Sequence, residues 1–148
     1  MHRATDALII RRLSDADRLL EVGIGTRTSV AAGLVATGAD VRATDVRPVE
    51  IPEGVRFRVE DVTTVESPDS FHDVDVVYAL NCPPELHEPT RALADRVGAT
   101  FCFTTLGNDP PAVSVELETL TGESDEGTGR VAPTVTLYVA TARDATRR

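Results

Sequence analysis

Apolar residues sit at helical spacing near the N-terminus, at Ala7, Leu8, Ile10 and Leu13, and predict a first helix ending around RRLSDAD. The spacing then closes up. RLLEVG predicts a short buried strand, and TSVAAGLVATG a helix with Thr28 or Ser29 able to cap its start and Gly38 at its stop. DVRATDV returns to a strand, RPVEIPEG makes a proline-punctuated turn, and VRFRVEDV alternates as a third strand. VDVVYAL is continuously apolar, as in a sheet covered on both faces. PPELHEPTRALADRVG predicts a helix opened by prolines, with Pro89 able to delay its regular start, and ATFCFTTLG a fifth strand. Beyond Gly107, VSVELETL and TVTLYVATA predict two strands joined by the polar turn TGESDEGTGR, an antiparallel hairpin at one sheet edge. The tail RDATRR is expected to fray.

Strands alternating with helices predict an α/β protein with a three-layer, doubly wound, mostly parallel sheet and a C-terminal antiparallel hairpin. No repeat or linker divides the chain, so a single domain over residues 1–148 is expected. In an open parallel sheet, ligands bind at the carboxyl ends of the strands, and the first strand-to-helix turn lies there. That turn is GIGTRTS. Gly23 and Gly25 let the backbone bend tightly and approach a ligand without a Cβ in the way. The following helix points free N–H groups at the same place. Asp45 ends the second strand, a position suited to binding both hydroxyls of a ribose.

Two cofactor loops come close. A dinucleotide loop requires a third glycine where Thr28 stands, and an S-adenosylmethionine loop one where Arg27 stands. The guanidinium of Arg27 has three possible fates: binding a carboxylate of the cofactor, folding over the loop, or pairing with a neighbouring acid.

Composition narrows the setting. The formal net charge is −9, and all 15 basic residues are arginine. Such an acidic, lysine-free chain suits a salt-rich, halophilic cytoplasm in which repulsion between carboxylates is screened; an acidic protein of a GC-rich genome is the alternative. No basic patch or aromatic row points to nucleic acid. The segment Met1 to Asp6 lacks the features of a signal peptide, and no apolar run approaches the ~20 residues that cross a bilayer. A cytoplasmic protein is expected. Cys82 and Cys102 lack metal-ligand spacing and are too few for a disulfide framework, so no metal is expected.

EVGIG resembles the first motif of S-adenosylmethionine-dependent methyltransferases, in which an acidic residue two before the first glycine lies near the methionine ammonium. Glu21 fills that place. The resemblance extends in order to Asp45, matching the ribose-binding acid, to Asp61, matching the acid that meets the adenine amino group, and to Asn81 at the start of the active-site loop. EVGIG, ATDV, DVVYALNCPPELH and FTTLGNDPP, from Leu19 to Pro111, are together similar to a small uncharacterised archaeal protein family with a Rossmann-like, methyltransferase-type core. NCPPELH looks like a disturbed Asn-Pro-Pro-aromatic loop of amine-methylating enzymes, with Cys82 inserted and Glu85 where the aromatic residue stands.

The resemblance implies an S-adenosylmethionine-binding protein, a small methyltransferase of unknown substrate. Glu21, Gly23, Gly25, Arg27, Asp45 and Asp61 are its candidate cofactor residues, with Asn81 and His87 as candidate catalytic residues. His87 is a candidate general base. Thr104, Thr105, Asn108 and Asp109 can line the same cleft, while Cys82 lacks a visible helper base. A non-catalytic Rossmann-like binding module and an NAD-type dinucleotide-binding protein are the alternatives. Without a covering domain, the cleft is expected to be open unless a partner protein or a second copy of the chain closes it.

Overall fold

The structure is a computed structural model and describes residues 3–107, 109–123 and 131–142. Its sheet takes the order β3-β2-β1-β4-β5-β7-β6. In chain order these strands are β1 (Arg18–Val22), β2 (Asp40–Asp45), β3 (Arg56–Val59), β4 (Val76–Ala79), β5 (Thr100–Phe103), β6 (Glu116–Thr121) and β7 (Thr134–Ala140). Strands β1 to β5 pair in parallel, and β7 runs antiparallel to both β5 and β6. Helices α1 (Arg3–Leu13) and α2 (Ser29–Ala36) contact each other, while α3 (His87–Val97) packs against β5.

Successive residues of each strand point to opposite faces, so each strand feeds two cores. Leu19, Val41, Ala43 and Tyr78 join Ile9 and Leu13 of α1 and Leu34 of α2 in one core. Leu20, Val22, Val77 and Phe101 join Leu93 and Ala94 of α3 in the other. The stacked rings of Phe101 and Phe103, 4.7 Å apart, strengthen the second core. This two-sided burial is the three-layer arrangement that the apolar run of β4 predicts.

The expected elements recur with shifted ends. The third strand stops at Val59, because Asp61 leaves the sheet to cap a 3₁₀ turn at Val62–Thr64. The helix after β4 opens with a 3₁₀ turn, Pro84–Leu86, and its regular part begins at His87; Pro89 does not delay that start but sits inside the first turn, where its missing N–H costs no helical bond. The C-terminal hairpin forms, and its second strand enters the sheet beside β5. Burial explains the choice: Leu137, Val139 and Ala140 of β7 are buried, whereas β6 carries Glu116, Glu118, Thr119 and Thr121 and suits an edge. Much of the expected hairpin turn and the RDATRR tail lie outside the described residues. Among the described residues no helix is long and apolar enough to cross a membrane.

Helix α1 docks on α2 because Gly33 leaves room for Ile10; a Cβ there would overlap the Ile10 side chain. Gly33→Val therefore lowers stability by about 1–3 kcal/mol, the usual cost of overfilling a packed contact. Denaturant unfolding checks this, and Ile10→Ala in the same chain restores part of the loss.

Candidate functional site

At the end of β1 the chain turns across the top of β2. Gly23 and Gly25 take φ values of 72° and 55°, a left-handed region that costs a residue with a side chain roughly 1–2 kcal/mol. The turn is pinned by three successive backbone donors. Gly23 N–H and Ile24 N–H reach the Thr44 carbonyl at 2.9 and 3.1 Å. Gly25 N–H donates to Asp45 Oδ2 at 2.8 Å. The other carboxylate oxygen accepts from Arg47 N–H at 3.1 Å, so Asp45 is fixed in rotamer. Nothing lies within 4 Å of the position a Cβ would take on either glycine, and the space above the loop is open.

Beneath the loop the chain buries an ionisable carboxyl. Glu21 is only 1 % exposed. It stands in register with Ala43 of β2 and Tyr78 of β4, on the face of the sheet that Asp45 also takes two residues beyond Ala43. The Tyr78 hydroxyl lies near the Glu21 carboxyl without full hydrogen-bond geometry, and neither Glu21 oxygen has another partner. Burial pushes the Glu21 carboxyl up to about 8; proximity of the Tyr78 phenol and the Arg27 guanidinium pulls in the opposite direction.

Of the three fates open to Arg27, the side chain takes the pairing one. It crosses to α1, where its Nη2 donates to Asp6 Oδ1 at 2.5 Å. The Ser29 hydroxyl donates to the other oxygen of the same carboxylate. Thr28 stands at the cap position of α2 but makes no side-chain bond there, so neither expected capping hydroxyl covers the helix start.

The outer part of the slot is more open. Val46, directly after Asp45, is 61 % exposed and offers an apolar surface at the strand end. Asp61 is exposed, and its Oδ1 accepts from the Thr63 N–H and hydroxyl, which hold its carboxyl below the ordinary aspartate value. Register places it beyond Asp45 on the neighbouring strand, since Asp45 lies opposite Val59.

On the other side of β1, the loops after β4 and β5 are stitched together. Asn81 is exposed at φ 51°, and its N–H donates to Thr104 Oγ1 at 2.8 Å. Cys82 N–H reaches the Thr104 carbonyl at 2.8 Å. The Cys82 thiol is buried, and burial pushes it up to about 12, which leaves no thiolate for nucleophilic work.

His87 does not have the free nitrogen that a general base requires. Its ring is fully buried, with Nε2 on the Cys82 carbonyl at 2.9 Å and Nδ1 accepting from Ala112 N–H at 2.9 Å. The ring ties the two loops together, 4.4 Å from Phe103. Thr104 is likewise buried and consumed in backbone bonding. Thr105 and Asp109 do line an open cavity of about 500 Å³, with Leu117 and Tyr138 on its far wall. Asn108 lies outside the described residues.

Asp6, Val46 and Tyr78 escape the sequence reading. For Asp6 a signal existed: positions 6, 9, 10 and 13 share one helical face, so a carboxylate at the first of them is buried with Ile9 and Leu13. Val46 and Tyr78 carry no such mark.

Strand order and the glycine loop at the end of β1 define a Rossmann-like fold of the kind found in methyltransferases. Solved structures agree on the fold. Magnesium protoporphyrin IX methyltransferase from Synechocystis PCC 6803, determined with bound SAM, superposes with a TM-score of 0.61 over 95% of this chain and 80% of that one, at 12% identity. A TehB-like SAM-dependent methyltransferase from Corynebacterium glutamicum gives 0.58 over 95% and 88%, at 18% identity.

The chain belongs to the uncharacterised protein family UPF0146, whose model matches residues 4–125. A UPF0146 protein of Halobacterium salinarum is 46% identical over 103 residues, 70% of this chain and 79% of its own. A UPF0146 protein of Archaeoglobus fulgidus is 38% identical over 92 residues, 62% of this chain and 70% of its own.

The buried Glu21 makes stability depend on pH. Its carboxyl titrates near 4.5 in the unfolded chain and near 8 in the folded one. Between those values the folded state binds more protons than the unfolded state, so stability falls as pH rises through that window. Urea midpoints measured from pH 5 to 9 should decline for the wild type. Glu21→Gln should flatten that slope and be the more stable protein at the alkaline end.

Proposed function

We propose that this protein binds S-adenosylmethionine between the glycine loop and Asp45 and acts as a small methyltransferase. What supports this is one placement: Glu21 and Asp45 share a face of adjacent strands, on either side of a loop with open space above both glycines. The donor set suits the cofactor part by part. Asp45 keeps unused lone pairs for ribose hydroxyls, since each oxygen accepts one backbone N–H. Val46 offers a surface for the flat base, and Asp61 an acceptor for an exocyclic amine. The unpartnered oxygens of Glu21 suit an ammonium.

S-adenosylmethionine supplies a methyl group activated by a sulfonium. The part left to the chain is to hold and orient, which accounts for most of what such a transfer needs from a protein. The role of directing an acceptor falls, in this reading, to Asn81, and its exposure at the end of β4 beside the β5 loop supports that. The cavity at Thr105 and Asp109 is the room for one. One observation favours a second reading, binding without turnover: His87, Thr104 and Cys82 are all committed to holding loops.

Labelled S-adenosylmethionine, its demethylated product and NAD, titrated at high potassium chloride into wild type and Asp45→Ala, test the proposal. S-adenosylmethionine should bind the wild type and lose at least tenfold in affinity on substitution; binding of NAD alone would overturn it. Affinity should also rise as pH increases toward 8, because an ammonium requires Glu21 ionised. Methyl transfer to a cell extract then separates the enzyme from the binding module.

A further inference from the structure

We propose that Arg27 receives the α-carboxylate at the amino-acid end of the bound nucleoside, held in position by Asp6, so that the site selects adenosyl amino acids over nucleosides lacking that end. This rests on the binding reading above and adds to it a recognition element that the glycine pattern does not supply. Arg27 occupies a place where a side chain could have blocked the slot. It does not: the positions a Cβ would take on Gly23 and Gly25 stay clear of it and of every other side chain. The side chain is instead drawn back to α1 by Asp6, itself 3 % exposed.

Three independent features converge on that spot. The first is unused donor capacity: a guanidinium has five N–H donors, the Asp6 bond occupies one, and the buried Nε has no partner. A planar fork in this state matches a carboxylate. The second is the start of α2. Thr28 provides no cap and the Ser29 hydroxyl is turned to Asp6, so the first-turn N–H groups remain for an anion.

The third is Glu21, buried behind the loop beside the Tyr78 phenol, with neither oxygen in a full hydrogen bond and both within electrostatic reach of Arg27 and Asp6. An α-amino acid group answers all three. Its carboxylate meets Arg27 and the helix start, its ammonium meets Glu21, and as a zwitterion it adds no net charge to a buried site. Asp6 is a positioning residue: two bonds from its carboxylate, to Arg27 and Ser29, set where the fork lies relative to the helix.

The test compares S-adenosylhomocysteine with 5′-methylthioadenosine, which share the nucleoside and thioether and differ in the amino-acid end. The wild type should bind the former about 10–100-fold more tightly, as expected for charge-assisted hydrogen bonds. The double variant Asp6→Asn/Arg27→Gln removes the guanidinium without stranding a buried carboxylate. It should bring that ratio close to one, with 5′-methylthioadenosine affinity unchanged.

Arg27→Lys, which keeps a cation but loses the fork, should give an intermediate ratio and covers the case in which the double variant fails to fold. Equal weakening of both ligands would reduce Arg27 to a fold element and overturn the inference, as would an unchanged ratio in a folded variant. A wild type that binds neither ligand overturns the nucleoside reading itself. A wild type that binds both with a ratio near one overturns only the role of Arg27.

Discussion

The loop after β1 is held by its neighbour rather than by itself: Gly23 and Ile24 donate to the Thr44 carbonyl, and Gly25 donates to the Asp45 carboxylate. The crossing requires left-handed backbone at Gly23 and Gly25, and it couples the exit of β1 to the exit of β2. Everything at this end of the sheet follows from it. It sets where α2 starts, which way the next side chain leaves, and how close the Asp45 carboxylate comes to the open space above the glycines. A residue read as a ribose ligand is therefore also the residue that shapes the loop. The two roles are compatible, because a carboxylate with one backbone donor per oxygen still has acceptor capacity.

Below that crossing, the protein tolerates an arrangement that a core built only for stability would avoid. Glu21 is desolvated without a hydrogen bond, and Arg27 has a buried nitrogen with no partner. Each such group costs free energy unless something satisfies it. Elsewhere the chain is careful with buried charge. Arg42, for example, gives three carbonyls, those of Ser70, Phe71 and Asp73, a shared donor and also pairs with Asp40. Apart from the Thr90 hydroxyl on α3, the unsatisfied buried side-chain groups among the described residues gather around this loop, on Glu21, Arg27 and Tyr78.

The other half of the cleft is built differently. Thr104 joins the loops after β4 and β5 through its backbone and hydroxyl, and the His87 ring bridges the Cys82 carbonyl and the Ala112 amide. Residues that look like chemistry in the sequence hold this half rigid. Asn81, exposed at the end of β4, sits on a loop held by these bonds.

Local signals determined the fold to a large extent. Among the described residues periodicity located each α-helix and strand, though not the 3₁₀ turns at Val62–Thr64 and Ser70–His72, because one-sided or two-sided burial imposes a spacing on apolar residues that a single chain displays. Glycines and an acid at a strand end located the loop, and the pairing of Gly25 with Asp45 bears out their nearness. Three things were decided only by tertiary packing. Which hairpin strand entered the sheet depended on comparing the burial each could achieve, with β7 the more apolar. The fate of Arg27 depended on a carboxylate twenty-one residues away on α1, a contact that no local pattern encodes. His87 carries the same letter whether free or tied, and only the approach of the Ala112 amide and the Cys82 carbonyl made it a tie. Spacing along a chain records which face a residue takes; what it meets there depends on partners far away in sequence, brought together when the sheet closes its layers.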